Sequence, residues 1–405
     1  MRKERIFYAN CIAAILSGIA LGAAAENNFQ SVFREGSINV ELRAYHNYRN
    51  FRTIPDTSAF ATGMNLQVRT GFFRNFSAAG ALYISDDLGT RSSNSARNNP
   101  NFSENIRILG QAYLQYENTS NLLRAGRQLI NTPFANPSDA FMVPIAYEGV
   151  AYTRKNRNGL TLNALYLDRI KGRPDDRFSD IVEFSANRFQ NTGAPGRGVW
   201  AAGADYEINT TALRGWWYLI PEQFHLMYFQ VDRSFSIQRN NTYHIAAQLI
   251  HERNHGDSIL GKINTNIGGL RTSLNKGFAT LYAAWNYVRN DHNAFNHGGL
   301  LSPFTFSTGP IFTNSMVQTM ENSTPGNAYK IGLEVNLSNW TSAALSYASY
   351  QRKGANDTRE TDIDIIYRFS GSLERLSLRL RVGLIGADRR DAKMTEIRTQ
   401  IQYHL

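Results

Sequence analysis

Apolar residues recur at every second position along most of this chain. Near the C-terminus Ile397, Ile401, Tyr403 and Leu405 fall on one face, and Arg398, Gln400, Gln402 and His404 on the other. Leu376, Leu378, Leu380, Val382 and Leu384 alternate with Ser377, Arg379, Arg381 and Gly383. Ile363, Ile365, Tyr367 and Phe369 alternate with Asp362, Asp364 and Arg368. The same holds for Tyr329 to Leu337 and for Ile38, Val40 and Leu42 against Asn39, Glu41 and Arg43. A period of two is the side-chain repeat of a β-strand. Apolar residues three and four apart, the mark of an amphipathic helix, are not sustained after residue 25.

The alternation predicts an all-β chain of about eighteen strands, each with roughly the 9–11 residues a tilted strand needs to cross a bilayer. They fall near 37–48, 62–73, 77–85, 106–117, 121–129, 146–154, 159–167, 199–207 and 211–219. The remainder fall near 224–234, 242–252, 262–274, 278–289, 328–337, 341–352, 361–369, 376–386 and 395–405. Most even-numbered strands lead into short turns, such as Arg74-Asn75, Asn118-Thr119-Ser120, Asn209-Thr210 and Ser338-Asn339-Trp340. Odd-numbered strands mostly lead into long polar stretches, about 86–105, 130–145, 168–198 and 290–327. Short periplasmic turns alternating with long outer loops are the pattern of an outer-membrane antiparallel barrel, and this parity puts both termini on the periplasmic side.

A soluble β-sandwich or solenoid would also alternate. It has no need for tyrosines near strand ends on the apolar face, where Tyr116, Tyr206, Tyr347, Tyr367 and Tyr403 fall. A barrel uses such rings as interfacial girdles. Barrels of this kind usually end in Phe or Trp; here the last residue is Leu405, with Tyr403 on the same face.

The N-terminus sets the compartment. Arg2, Lys3 and Arg5 precede an apolar stretch from Cys11 to Leu21, and Ala23-Ala24-Ala25 supplies small residues. Residues 1–25 read as a secretory signal, leaving 26–405 as the barrel. The single cysteine, Cys11, lies in that signal, so no disulfide is expected. The chain carries a formal charge of +10, and the signal accounts for a net +2 of it. A basic secreted chain points to anionic lipid, including lipopolysaccharide, or to anionic solutes, and not to nucleic acid.

The stretch Leu109-Gly110-Gln111-Ala112-Tyr113-Leu114-Gln115-Tyr116, then Leu123-Arg124-Ala125-Gly126-Arg127-Gln128, Asn131-Thr132-Pro133-Phe134, Met142-Val143-Pro144 and Tyr147-Glu148-Gly149 resembles the OprD family of outer-membrane porins. It is most similar to the forms in campylobacter-like bacteria. Thr70-Gly71-Phe72-Phe73 and Gly309-Pro310-Ile311-Phe312-Thr313-Asn314 add to the likeness. The resemblance implies an eighteen-stranded barrel in the outer membrane, often a homotrimer, passing small hydrophilic solutes passively. It also implies that the third outer loop, about 130–145, folds into the pore, with Asn131, Pro133, Phe134, Asp139 and Phe141 among its residues. A column of lumen arginines leads carboxylate-bearing solutes through in this family, and Arg124, Arg379 and Arg381 match positions of that column. The family often carries an Arg where this sequence has Phe141.

Alternation alone assigns Arg43, Arg69, Arg107, Arg124, Arg214, Lys330, Arg368, Arg379, Arg381 and Arg398 to the lumen. On the lipid face each would cost about 2–4 kcal/mol at mid-depth. A guanidinium grips carboxylates bidentately and keeps its proton, so rows of arginine favour anions. Glu41, Glu148, Asp205, Glu334, Asp362, Asp364 and Glu396 also point inward on this pattern, and the arginines could instead brace the wall by pairing with them.

Enzyme chemistry finds little support. Gly256-Asp257-Ser258-Ile259-Leu260 imitates an esterase block without the strand–turn–helix it needs, and no G-x-S-x-G is present. The histidines lack paired metal spacing, and His251, His255, His292 and His297 fall in or beside outer loops. No cofactor is expected. A weakly selective general pore is the alternative within the class, and a surface adhesin using loops 168–198 and 290–327 is the alternative outside it.

Overall fold

The computed structural model describes residues 29–99, 102, 105–189, 196–238, 241–305, 308–389 and 393–405. The expected signal segment, with Cys11, lies outside the described residues. The nineteen strands among the described residues belong to one sheet, and Ser179–Asp180, a two-residue strand, lies in a loop. The others form the wall: β1 Ser37–Phe51, β2 Thr57–Arg69, β3 Phe76–Asp86, β4 Asn105–Glu117, β5 Asn121–Gln128 and β6 Ala146–Lys155. Next come β7 Leu160–Lys171, β8 Val199–Ile208, β9 Thr211–Ile220, β10 Phe224–Gln238, β11 Asn241–Asn254 and β12 Asn264–Lys276. The circuit ends with β13 Ala279–Val288, β14 Gly326–Asn336, β15 Thr341–Arg352, β16 Thr358–Arg368, β17 Leu376–Ala387 and β18 Met394–His404. Sequence neighbours pair antiparallel, and β18 returns to β1 from Glu41↔His404 to Phe51↔Met394. Closure leaves no open edge, the condition for a sheet in lipid.

The chain is an eighteen-stranded antiparallel barrel, as the alternation and the loop parity require. The second strand differs from its expected span, running from Thr57 and ending at Arg69. Asp56 accepts the Phe51 N–H at 3.0 Å and closes a tight outer hairpin. Arg74 and Asn75, both at positive φ, make the periplasmic turn. A short helix, α1 Phe29–Arg34, precedes β1, and the Val32 carbonyl accepts the Gly71 N–H at 2.6 Å.

Outward residues such as Leu42, Leu114, Leu249, Ile331, Leu345 and Leu384 are exposed. In water so broad an apolar band would drive association, whereas in a bilayer it faces acyl chains. Tyr116, Tyr206, Tyr367 and Tyr403 sit at the periplasmic ends of their strands, and Tyr347 lies nearer mid-strand. Among the described residues no helix is long and apolar enough to cross a membrane.

Two apolar clusters lie inside the barrel. One packs Phe134, Leu300, Phe304, Ile311 and Met320 from outer loops against Tyr218, Tyr228, Ile250 and Tyr350 of the wall. The other joins Phe141 and Met142 to Tyr45, Tyr83, Ile106 and Ile108. The interior is thus filled by loops from the outer side, and what stays open is set by where they end.

Candidate functional site

Loop 129–145 crosses the barrel. Near its start Phe134 is fully buried edge-on to Tyr218 and Tyr228, with centroids 5.9 and 6.1 Å away. Farther along, Asp139 takes a two-pronged ion pair from Arg43 on β1, at 2.7 and 3.1 Å. Arg43 also donates to Glu41 at 2.8 Å and to the Phe141 carbonyl. Phe141 packs on Tyr45, Phe102 and two guanidiniums, Arg173 at 4.6 Å and Arg398 at 5.1 Å from its ring centre. At the position where the resemblance leads to an expected Arg, this chain places an apolar face that two arginines flank by cation–π attraction. Pro133 and Pro137 lie on this route and Asn131 is exposed at its start, while the Pro144 carbonyl accepts Lys171 Nζ at 3.1 Å.

A second loop, 289–325, also lies inside, a placement the alternation did not anticipate for the 290–327 stretch. Glu360 accepts the N–H groups of Val317 and Gln318 at 2.8 and 2.6 Å, and Asp362 accepts that of Met316 at 3.1 Å. Glu252 accepts the Leu301 N–H at 3.0 Å. The Tyr350 hydroxyl donates to the Thr313 carbonyl at 2.6 Å. Asn136 and Thr308 tie the two loops together at 3.0 and 3.1 Å.

Between these loops and the arc of β16, β17, β18 and β1 lies a cavity of about 350 Å³. Arg49, Arg173, Arg188, Arg381 and Arg398 line it, with Glu321 as its one acid among the described residues. Arg381 and Arg398 stand opposite each other in register, like charges side by side. Behind them buried Glu396 accepts from Asn47 at 2.7 Å, Arg49 at 2.9 Å and Arg398 at 2.7 Å. Arg379 holds Asp364 in a fork at 2.9 and 2.5 Å, and Arg381 approaches the same carboxylate at 3.2 Å. Arg188 ends a loop helix, α2 Ile181–Arg188, capped by Asp180, which accepts from Val182 and Glu183. Burial, then the neighbouring Arg398, pushes Arg173 down to about 9. Since a guanidinium does not give up its proton in a protein, that shift marks a dry, electropositive place suited to an anion.

Arg43, Arg379, Arg381 and Arg398 therefore converge on one arc. Arg124 stands apart on β5, donating to Gln115 at 2.6 Å and lying 5.1 Å over the Tyr113 ring. Arg69 and Arg368 are at the periplasmic rim; Arg69 reaches Glu117 at 3.8 Å and Arg368 is exposed. Arg214 pairs with Asp205 at 2.8 Å, and Lys330 donates to the Asn314 carbonyl at 2.6 Å. With Arg271 these two line a separate hollow of about 400 Å³ beneath Gly309 to Asn314.

Arg107 is a correction. The register passes from Ala81↔Gln111 to Leu82↔Leu109, skipping Gly110, over which the Tyr83 ring packs. This bulge shifts the alternation by one, so Ile106 and Ile108 point inward and Arg107 faces out, its side chain 71% exposed and 3.4 Å from Asp86. Alternation missed three arginines of the cavity as well. Arg49 lies one residue beyond the expected end of β1, though it shares the face of Arg43, and Arg173 and Arg188 sit in a loop where a period of two says nothing.

The esterase-like Ser258 donates to the Gly261 carbonyl at 2.5 Å in the β11–β12 loop. Among the described residues no cluster of metal-binding side chains occurs.

Comparison with known proteins adds the ancestry. Among solved structures the chain is similar to OccK9 (OpdG) of Pseudomonas aeruginosa, with 18% identity and TM-score 0.79 over 93% of this chain and 99% of that one. It is similar to OpdK of the same organism, solved with vanillate, at 17% identity and TM-score 0.75 over 92% and 99%. A third similar structure is OccK2 (OpdF) of that organism in complex with glucuronate, at 15% identity and TM-score 0.73 over 93% and 97%. No curated protein matches the chain. The family model described as "outer membrane porin, OprD family" matches residues 32–405, and the chain belongs to that family of non-enzymatic outer-membrane channels.

Proposed function

We propose that this porin passes small carboxylate-bearing solutes through the gap that loops 129–145 and 289–325 leave beside the arc from β16 to β1. The cavity lined by five arginines and one glutamate carries this reading. Forked guanidiniums match carboxylates in shape and charge. The two relatives named with vanillate and with glucuronate hold molecules that each bear a carboxylate. Arg173 and Arg398, set against the Phe141 ring, and Arg381 receive the solute. Arg43 and Arg379 serve chiefly to hold the loop and the wall, since each grips a carboxylate in a fork and neither lines the cavity. Release stays fast because Glu396 and Asp364 already share part of the charge of Arg398 and Arg381. In the membrane the barrel is proposed to assemble as a homotrimer.

The test is single-channel conductance of the refolded protein in a planar bilayer under a salt gradient. Wild-type steps should reverse at an anion-selective potential, and added benzoate or glucuronate should block current. Arg381→Ala and Arg173→Ala should weaken that block by about tenfold or more, the worth of one charge-assisted hydrogen bond. Steps indifferent to both variants would leave a general pore with structural arginines.

A further inference from the structure

The lipid-facing side of β10 to β13 carries a hollow that the pore does not use. Outward residues line up across it by register: Phe229 opposite Leu249, Leu249 opposite Gly268, Gly268 opposite Tyr287. At Gly268 this ridge is interrupted, and a Cβ built there meets nothing within 4 Å. The result is a groove of about 460 Å³, walled by Met227, Phe229, Leu249 and Tyr287. Its size falls within the roughly 300–1,000 Å³ of small-molecule sites.

Toward the outer loops the groove turns polar. His251 stands opposite Met227 and Asn266, and the Arg289 N–H donates to the Asn266 carbonyl at 2.9 Å. Two residues farther along β11, on the same face, Arg253 stands opposite His225 and Asn264. Neither Arg253 nor Arg289 makes an ion pair among the described residues. In the loop after β13, Asp291 is taken by Asn264 at 2.7 Å and Lys262 at 3.3 Å, and in the loop after β11 the Asp257 N–H donates to Glu222 at 2.6 Å. Trp217 donates to His225 at 3.2 Å, placing an amphipathic ring at headgroup level beside them.

Odd-numbered strands rise to the outer loops, so the basic end of the groove lies at the outer leaflet. An apolar channel that runs into two unpaired guanidiniums complements a lipid with acyl chains along the wall and phosphate at the head. A second copy of this chain would bury those guanidiniums without an anion, at a cost. We propose that this groove binds the phosphorylated glycolipid of the outer leaflet, the lipid A portion of lipopolysaccharide. One acyl chain lies in the notch at Gly268, and a phosphate rests on Arg253 and Arg289.

The test titrates the refolded full-length barrel in detergent with lipid A and with dephosphorylated lipid A, reading bound lipid by native mass spectrometry. Arg253→Ala/Arg289→Ala should weaken lipid A binding on the order of thirtyfold, and dephosphorylation should weaken wild type similarly. Gly268→Leu should lower affinity several-fold while single-channel conductance stays at the wild-type value, since the residue faces away from the pore. Should the double variant fail the heat-modifiability check for folding, Gly268→Leu decides alone, because its side chain enters open space. Unchanged affinity in the folded variants, or equal binding of the dephosphorylated lipid, overturns the proposal. A change of oligomeric state with lipid binding unaltered also overturns it and assigns the face to contact between copies.

Discussion

The two loops inside the barrel are held in opposite ways. Loop 129–145 reaches the wall with its own side chains: Phe134 enters an aromatic slot, and Asp139 meets Arg43. Loop 289–325 offers mainly its backbone, and the wall supplies the side chains, with Glu252, Glu360 and Asp362 accepting its N–H groups. A loop held by side chains leaves a trace in its own sequence. A loop held by its backbone leaves the trace elsewhere, in carboxylates that look like partners for lumen arginines.

Three substitutions probe this contrast. The largest effect belongs to Arg43→Ala, which strands Asp139 and Glu41 beside an apolar cluster. Glu41 and the Phe141 carbonyl then lose their buried donor, at about 1.5–3 kcal/mol for each such charge-assisted bond, so the variant should unfold at clearly lower denaturant and show larger, noisier conductance steps. Glu360→Gln is milder, because an amide oxygen still accepts from one N–H of loop 289–325. Loss of the second bond should cost about 1–3 kcal/mol, with increased proteolysis between residues 300 and 322 as the readout. If Glu360→Gln freed loop 129–145 instead, the two anchors would not be separate. The smallest change is expected for Asp139→Asn, whose side chain is 38% exposed. About 1 kcal/mol or less is at stake in so solvated a pair, and the sign of ion selectivity should persist with a modest shift of reversal potential toward anions.

Most of the wall was legible because lipid outside and water or polar loops inside impose opposite demands on successive residues. Arg379, Arg381 and Arg398 could be placed inward from that rule alone. It failed at Arg107, where one extra residue at Gly110 shifts the register and nothing in the flanking alternation signals it. The bulge is set by the Tyr83 ring packing over a residue without a side chain, a contact between strands that a single strand's sequence does not display.

The cavity was legible only in part. Its wall arginines obey periodicity, whereas Arg173 and Arg188 reach it from the loop after β7. Phe141 stood out as a departure from the family pattern, but its place between Arg173 and Arg398 follows from the loop's route across the lumen.

By itself, the sequence determined that this chain closes into an antiparallel barrel in an outer membrane, which strand ends carry long loops, and that its interior is rich in arginine. These follow from a period of two, from turn lengths and from the cost of charge in lipid, all local properties. Tertiary structure alone decided which loops enter the barrel and which arginines meet around one cavity. Those depend on carboxylates and rings brought together from strands far apart in sequence, a closure no local pattern encodes.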